Sequence, residues 1–266
     1  MTRRGSKALF AALTLILLPG TGFAADLLKL AIGQRGLWDS AIAEIGTGAG
    51  IFQKHSLDLQ VVYTSGGGET QQAVISGSVD IGVSPGMLGV LSIYAKGAPV
   101  RVIAGEATGT AEYYFVKADS PVQKDFKGVT PNMTLAYSTN GSGTHITALR
   151  FMKDYGFQAR LVATGSVPAT FTSVMSGQID IGFSTPPFGL EAAERGEIRI
   201  VALANDLESV RTQTVRDRFY PKAILRLDEI KGLDAMMQDA IAFKYLTQPL
   251  TPQQVGELLQ LPARRR

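Results

Sequence analysis

Short runs of β-branched and apolar residues alternate along this chain with segments whose apolar positions recur at three- and four-residue spacing. The strand-like runs fall at 27–32, 57–63, 79–84, 100–104, 113–116, 133–138, 160–163, 179–184 and 198–202. Helical patterns fill most of the intervals, among them 71–76 and 146–155. Residues 225–261 read as two amphipathic helices with Pro249 and Pro252 between them. Such alternation predicts an α/β protein whose sheets are covered by helices on both faces.

One phrase of the pattern occurs twice. VISGSVDIGVS at 74–84 and VMSGQIDIGFS at 174–184 are offset by 100 positions and identical at seven of eleven. Each copy reads as a helix end, a Ser-Gly stop, a short strand and a polar tip ending in serine. The bland reading is a chance recurrence of helix-turn-strand grammar. The sharper one is a pair of similar α/β lobes facing one another, the first ending near Glu112 and the chain crossing back around 201–207.

The N-terminus changes the picture of compartment. Arg3, Arg4 and Lys7 precede an apolar run at 8–18, Pro19 and Gly20 break it, and Gly22, Phe23 and Ala24 put small residues at cleavage positions. This is the pattern of a secretory signal cut after Ala24, and its apolar run is too short to span a bilayer. Losing those three basic residues takes Lys+Arg from 26 to 23, equal to the 23 Asp+Glu. The basic balance of the whole chain therefore argues for neither nucleic acid nor a membrane surface. Arg264, Arg265 and Arg266 read as a solubilising end. With no cysteine, disulfides, thiolate metal sites and cysteine nucleophiles are excluded. The expectation is a soluble periplasmic protein, not membrane-spanning once the signal is cleaved.

In open α/β sheets ligands sit beyond the carboxyl ends of strands, and the polar punctuation of this chain falls there. The loop after the first strand, 33–40, holds Trp38, either a lid over an apolar ligand group or a core anchor. The next loop places Gly66, Gly67, Gly68, Glu69 and Thr70 at a helix start. Its freed backbone N–H groups suit an anion, or else the glycines form a turn and Glu69 complements the helix dipole. The richest loop, 137–145, offers Ser138, Thr139, Asn140, Gly141, Ser142, Gly143 and Thr144 before a helix. Hydroxyls, an amide and backbone donors at a helix N-terminus can hold a carboxylate, sulfonate or phosphate without a charged side chain. No Gly-Lys-Ser/Thr ending is present, so it is not a nucleotide-binding Walker loop. His145 is either a ligand contact or a capping and packing residue. Trp38 with Tyr63 and Phe188 hints at an aromatic group on the ligand.

Catalysis finds little support. There is no Gly-x-Ser-x-Gly elbow, and His55 and His145 lack metal-ligand spacing. Asp80 and Asp180 each enter a strand after a glycine turn, which suits a structural cap better than a catalytic dyad. No enzyme activity, metal or cofactor is expected.

Taken together, GLWDSAI at 36–42, GIFQKHSLDL at 50–59, YTSGGGET at 63–70, AVISGSVDIG at 73–82, STNGSGTH at 138–145 and STPPF at 184–188 resemble the nitrate/sulfonate/taurine-type substrate-binding proteins of ABC importers. The resemblance implies a type II periplasmic binding protein, with two α/β lobes, two crossover hinges and a ligand closed between them. It assigns 25–112 and 207–266 to the first lobe and 113–206 to the second. It also implies a pocket lined by Trp38, Gly68, Glu69, Thr70, Ser84, Pro85, Asn140, Gly141, Ser142, Gly143, Thr144, Thr185, Pro186 and Pro187. The implied function is capture of a small organic anion, a sulfonate, carboxylate or similar, for an inner-membrane ABC permease. The receptor of a tripartite-type transporter, or an enzyme on the same fold, are the alternatives. The branch of the family that uses cysteine for a pyrimidine precursor is disfavoured, since no cysteine exists here. Against the family pattern, 212–216 runs almost directly into 218–221, which implies a shortened first lobe.

Overall fold

The computed structural model describes residues 25–37, 40–106, 112–204 and 228–263. The leader at 1–24, Trp38, the expected shortening within 205–227 and the tail of Arg264, Arg265 and Arg266 lie outside the described residues.

The first lobe is built on a parallel sheet in the order β2-β1-β3, from β1 (Asp26–Gly33), β2 (Leu57–Thr64) and β3 (Ile81–Val83). Leu30, Ala31 and Ile32 are consecutive buried residues, as a strand covered on both faces requires. Asp26 pairs with Leu57 and Gly33 with Thr64, so β1 and β2 end level and their loops emerge side by side. The helices α1 (Ile42–Gly48), α2 (Gly67–Ile75) and α3 (Met87–Ala95) alternate with these strands.

The second lobe is mixed. Here β4 (Tyr113–Lys117) lies antiparallel between β7 (Gly182–Ser184) and β8 (Ile198–Leu203). A parallel pair, β5 (Thr134–Tyr137) and β6 (Arg160–Ala163), joins them through a bridge from Leu135 to Ile181. Helices α4 (Gly143–Asp154), α5 (Val167–Met175) and α6 (Leu190–Glu194) complete it. Its core is aromatic. Phe126 stacks on Phe157 at 4.7 Å, and Tyr114 meets Phe151 edge-on at 5.1 Å. Each such pair is worth about 0.5–1.5 kcal/mol beyond the area it buries.

The chain then returns to the first lobe. Helices α7 (Leu233–Ala242) and α8 (Pro252–Leu258) bury Met237, Leu246 and Leu258 against Leu88 and Leu91 of α3. Pro252 does not separate the two helices, as the sequence suggested. It opens α8, where its missing N–H costs nothing, behind a capping box made by Thr251 and Gln254. The strand expected at 100–104 is also corrected. Only Val102 pairs, in a single bridge with Leu259, because the segment beside it offers one residue and no strand.

The repeated phrase has a shared physical basis. The Asp80 carboxylate accepts the Lys29 N–H at 2.8 Å, and the Asp180 carboxylate accepts the Thr134 N–H at 2.7 Å. Thr64 and Thr70 meet through their hydroxyls at 2.7 Å, as do Thr164 and Thr170 at 2.6 Å. Each aspartate ties its turn to the neighbouring strand, and each threonine pair ties a strand end to the helix that follows it.

Candidate functional site

The carboxyl ends of β1, β2 and β3 face the start of α4 and the end of β7 across a cleft of about 50 Å³. One wall carries Gln34, Gly66, Gly67 and Ser84. The other carries Ser138, Ser142, Thr144, Phe183 and Thr185.

At its centre lies a triangle of hydroxyls. Ser138 Oγ donates to Ser142 Oγ at 2.9 Å, and Thr144 Oγ1 lies 2.8 Å from Ser138 Oγ and 2.9 Å from Ser142 Oγ. All three side chains are buried. Ser142 is the N-cap of α4 and accepts the His145 N–H at 3.3 Å, while the Ser138 N–H donates to Thr144 Oγ1 at 2.8 Å. This local order follows from the sequence, because an extended serine before a Gly-Thr helix start satisfies the free donors of the first turn. The contacts within the triangle use part of its protons, and a hydroxyl that turns its proton outward, together with the free N–H groups of the helix terminus, presents a donor to an anion.

A carboxylate stands at the same place. Glu112 lines the cleft, accepts from Thr147 Oγ1 at 3.3 Å, and sets Oε1 about 3.4 Å from where a Cβ on Gly143 would project. The side chain of Ser84 donates to Glu106 beside it.

The two lobes touch around the cleft. The Gly68 N–H donates to Thr139 Oγ1 at 2.9 Å, and the Val167 N–H donates to Gln34 Oε1 at 2.7 Å. Arg150 of α4 grips Asp239 of α7 at 2.5 and 2.7 Å. His145 stacks on Tyr137, with ring centres 4.2 Å apart, and its Nδ1 faces the Tyr245 hydroxyl at 2.6 Å and the Gly141 N–H at 3.3 Å. The Gly141 N–H aimed at Nδ1 makes it the unprotonated ring nitrogen, which lets the Tyr245 hydroxyl donate to it. Burial pushes the imidazole pKa below its ordinary value.

Of the residues singled out in the sequence, Ser84, Ser142, Gly143, Thr144 and Thr185 line the cleft. Gly68, Asn140 and Gly141 line a second, larger cavity behind it. Five more lie off both. Glu69 accepts the Ser65 N–H, Thr70 bonds Thr64 and Gly66, the Pro85 carbonyl accepts from Gln71, and Pro186 and Pro187 form the turn after β7. Tyr63 and Phe188 do not line the cleft either. Tyr63 bonds Glu44 at 3.0 Å, and Phe188 packs edge-on to Phe171. Of the glycines at the second helix start, Gly66 and Gly67 line the cleft, while Gly68 lets the lobes approach, since a Cβ there would lie 2.8 Å from the Asn140 carbonyl oxygen.

Sequence reasoning passed over Gln34, Leu37, Glu112, Val167 and Phe183 as site residues. Gln34 and Leu37 sit in a loop already marked by its glycines, whereas nothing local marks Val167 or Phe183, which reach the cleft through the packing of the second lobe. Among the described residues, no group of three or more His, Asp or Glu is placed to hold a metal ion. Nor is any described helix long and apolar enough to cross a membrane.

Two α/β lobes with a donor-lined cleft between them have the periplasmic-binding-protein fold. The NMT1/THI5-like family pattern matches residues 45–215, and the chain belongs to that family. No curated protein matches it. Among solved structures, it is similar to the alkanesulfonate-binding protein SsuA from Xanthomonas axonopodis pv. citri bound to MOPS, at 18% identity and a TM-score of 0.57 over 68% of this chain and 62% of that one. It is also similar to the periplasmic aliphatic sulphonate binding protein SsuA from Escherichia coli, at 16% identity and 0.52 over 87% and 73%. A third is the ligand binding component of an ABC-type import system from Staphylococcus aureus with zinc bound, at 10% identity and 0.63 over 88% and 99%. All three are binding proteins, and at these identities the likeness is one of fold. The chain spans less than two thirds of the Xanthomonas protein.

Proposed function

We propose that this chain is a periplasmic receptor that captures a small organic anion, a sulfonate or carboxylate, and delivers it to an ABC permease of the inner membrane. The observation that carries this reading is the triangle of Ser138, Ser142 and Thr144 at the N-terminus of α4, facing the cleft. Its donors are suited to an anion, and the solved relatives named as sulfonate-binding proteins support that ligand class. In this reading 25–112 and 207–266 form one lobe and 113–206 the other, with hinges at the two crossovers. Export through a signal at 1–24 places the protein where such receptors work.

A cleft of about 50 Å³ holds only a few waters, so the lobes must part for an organic ligand to enter.

The test is thermal stabilisation of the chain from Ala25 onward against sulfonates, nitrate, aromatic and aliphatic carboxylates, amino acids and neutral sugars. A ligand that binds the folded state raises the midpoint by mass action. A shift with sulfonates or carboxylates and none with sugars is the expected result. A shift with neutral sugars alone, or with nothing in the panel, overturns the reading.

A further inference from the structure

Behind the cleft, at the junction of the lobes, lies the second cavity, of about 420 Å³. That is within the range of small-molecule sites. One side is formed by α2, α3 and the segment after α7, the other by the loop after β5 and the start of α4. The Gly141 N–H donates to the Tyr245 hydroxyl between those two sides at 3.1 Å.

Its chemistry has one sign. Lys96 and Lys244 line it, with no aspartate or glutamate among the lining residues. The ammonium of Lys153 lies 5.9 Å from the ring centre of Phe243, which also lines the cavity. None of these three lysines forms an ion pair among the described residues. The carboxylates nearest along α4 and α7, Asp154 and Asp239, both pair with Arg150 rather than with these lysines. Lys244 also occupies the left-handed position just after α7, with φ of 63°, where glycine is the usual residue. Phe243 and Ile93 add apolar wall, and Asn140, whose Oδ1 accepts from Tyr137, lines the cavity at its lobe-junction side.

We propose that this cavity is a second ligand site, separate from the cleft, for a small organic anion with an apolar body, its charge between Lys96 and Lys244 and its body on Phe243 and Ile93. Because its walls come from both lobes, an occupant favours their closed arrangement. The inference stands whether or not the cleft reading does, since none of the cleft's hydroxyls takes part.

Phenyl phosphate is a suitable probe, titrated calorimetrically into the purified chain at low ionic strength, with phenol as the neutral control. Binding of phenyl phosphate and not of phenol is expected. The double variant Lys96→Gln, Lys244→Gly should weaken it by at least about tenfold, since each charge-assisted hydrogen bond is worth more than one decade of affinity. Glycine suits the backbone at position 244, so that variant keeps its fold. The pair Lys96→Arg, Lys244→Arg retains the charge and should retain binding. The proposal is overturned if the wild type does not bind phenyl phosphate, if phenol binds as well, or if the Gln/Gly variant binds like the wild type.

Discussion

The hydroxyl of Tyr245 lies 2.6 Å from Nδ1 of His145, a residue 100 positions away in sequence and on the opposite lobe. The contact needs a neutral imidazole, because a proton on Nδ1 would face the Gly141 N–H and replace an acceptor with a donor. It is one of several polar links that hold the lobes together.

Stability should therefore depend on pH with a definite sign. Burial lowers the folded pKa of His145 below its unfolded value, so the unfolded chain binds the proton more readily. The contribution is complete above the unfolded value, about 6.5, and is lost as pH falls through the lower folded one. Melting midpoints measured from about pH 7.5 down to about pH 5 should decline, and less so in His145→Gln. An equal decline in the variant would place the titrating group elsewhere.

Gly68 sets how closely the lobes approach. A Cβ there would lie 2.8 Å from the Asn140 carbonyl oxygen and 3.0 Å from Thr139 Oγ1, both on the other lobe. Gly68→Ala should leave each lobe folded and shift the molecule toward the open form, enlarging its radius of gyration in solution scattering. Ligand affinity should fall by about tenfold, because the population competent to close is smaller. Unchanged affinity and size would show that the contact is not needed for closure.

Replacing Ser142 or Thr144 with alanine should weaken anion binding by about tenfold each, the worth of one charge-assisted hydrogen bond. Ser142→Ala should also cost about 1 kcal/mol of stability through the lost N-cap. Titration calorimetry with a simple sulfonate reads the affinity, and unchanged binding in both variants would move the anion site elsewhere.

Arg150 joins Asp239 at 2.5 Å and Asp154 at 3.3 Å, with Arg150 and Asp239 each only 14% exposed. Arg150→Met leaves two carboxylates without their partner and should cost about 2–4 kcal/mol, near the lower end for a broken buried pair since some water remains. Asp239→Asn should cost less, because Arg150 still holds Asp154. Denaturant unfolding of both variants checks the order.

Eight of the nine strand-like runs were legible as strands, because parallel strands covered on both faces read as unbroken apolar runs and turns carry their own glycine punctuation. The run at 100–104 looked the same and failed, since pairing needs a neighbour that local sequence does not reveal. In the site, the loop 138–144 announced itself through its serines and glycines. Glu69, Thr70 and Pro85 shared that loop chemistry, and their hydrogen bonds run to Ser65, Gly66 and Gln71 of their own lobe. Glu112 and Phe183 carry no local mark, as their place in the cleft comes from β4 and β7 lying side by side.

The narrowness of the cleft governs timing as well as affinity. In the proposed receptor, a ligand enclosed once the lobes meet around it cannot slip past its walls, so its escape waits on their opening. No ligand would then leave faster than the lobes open, and one that holds the closed form more tightly would leave more slowly. Discrimination between ligands would appear in how long the lobes stay shut.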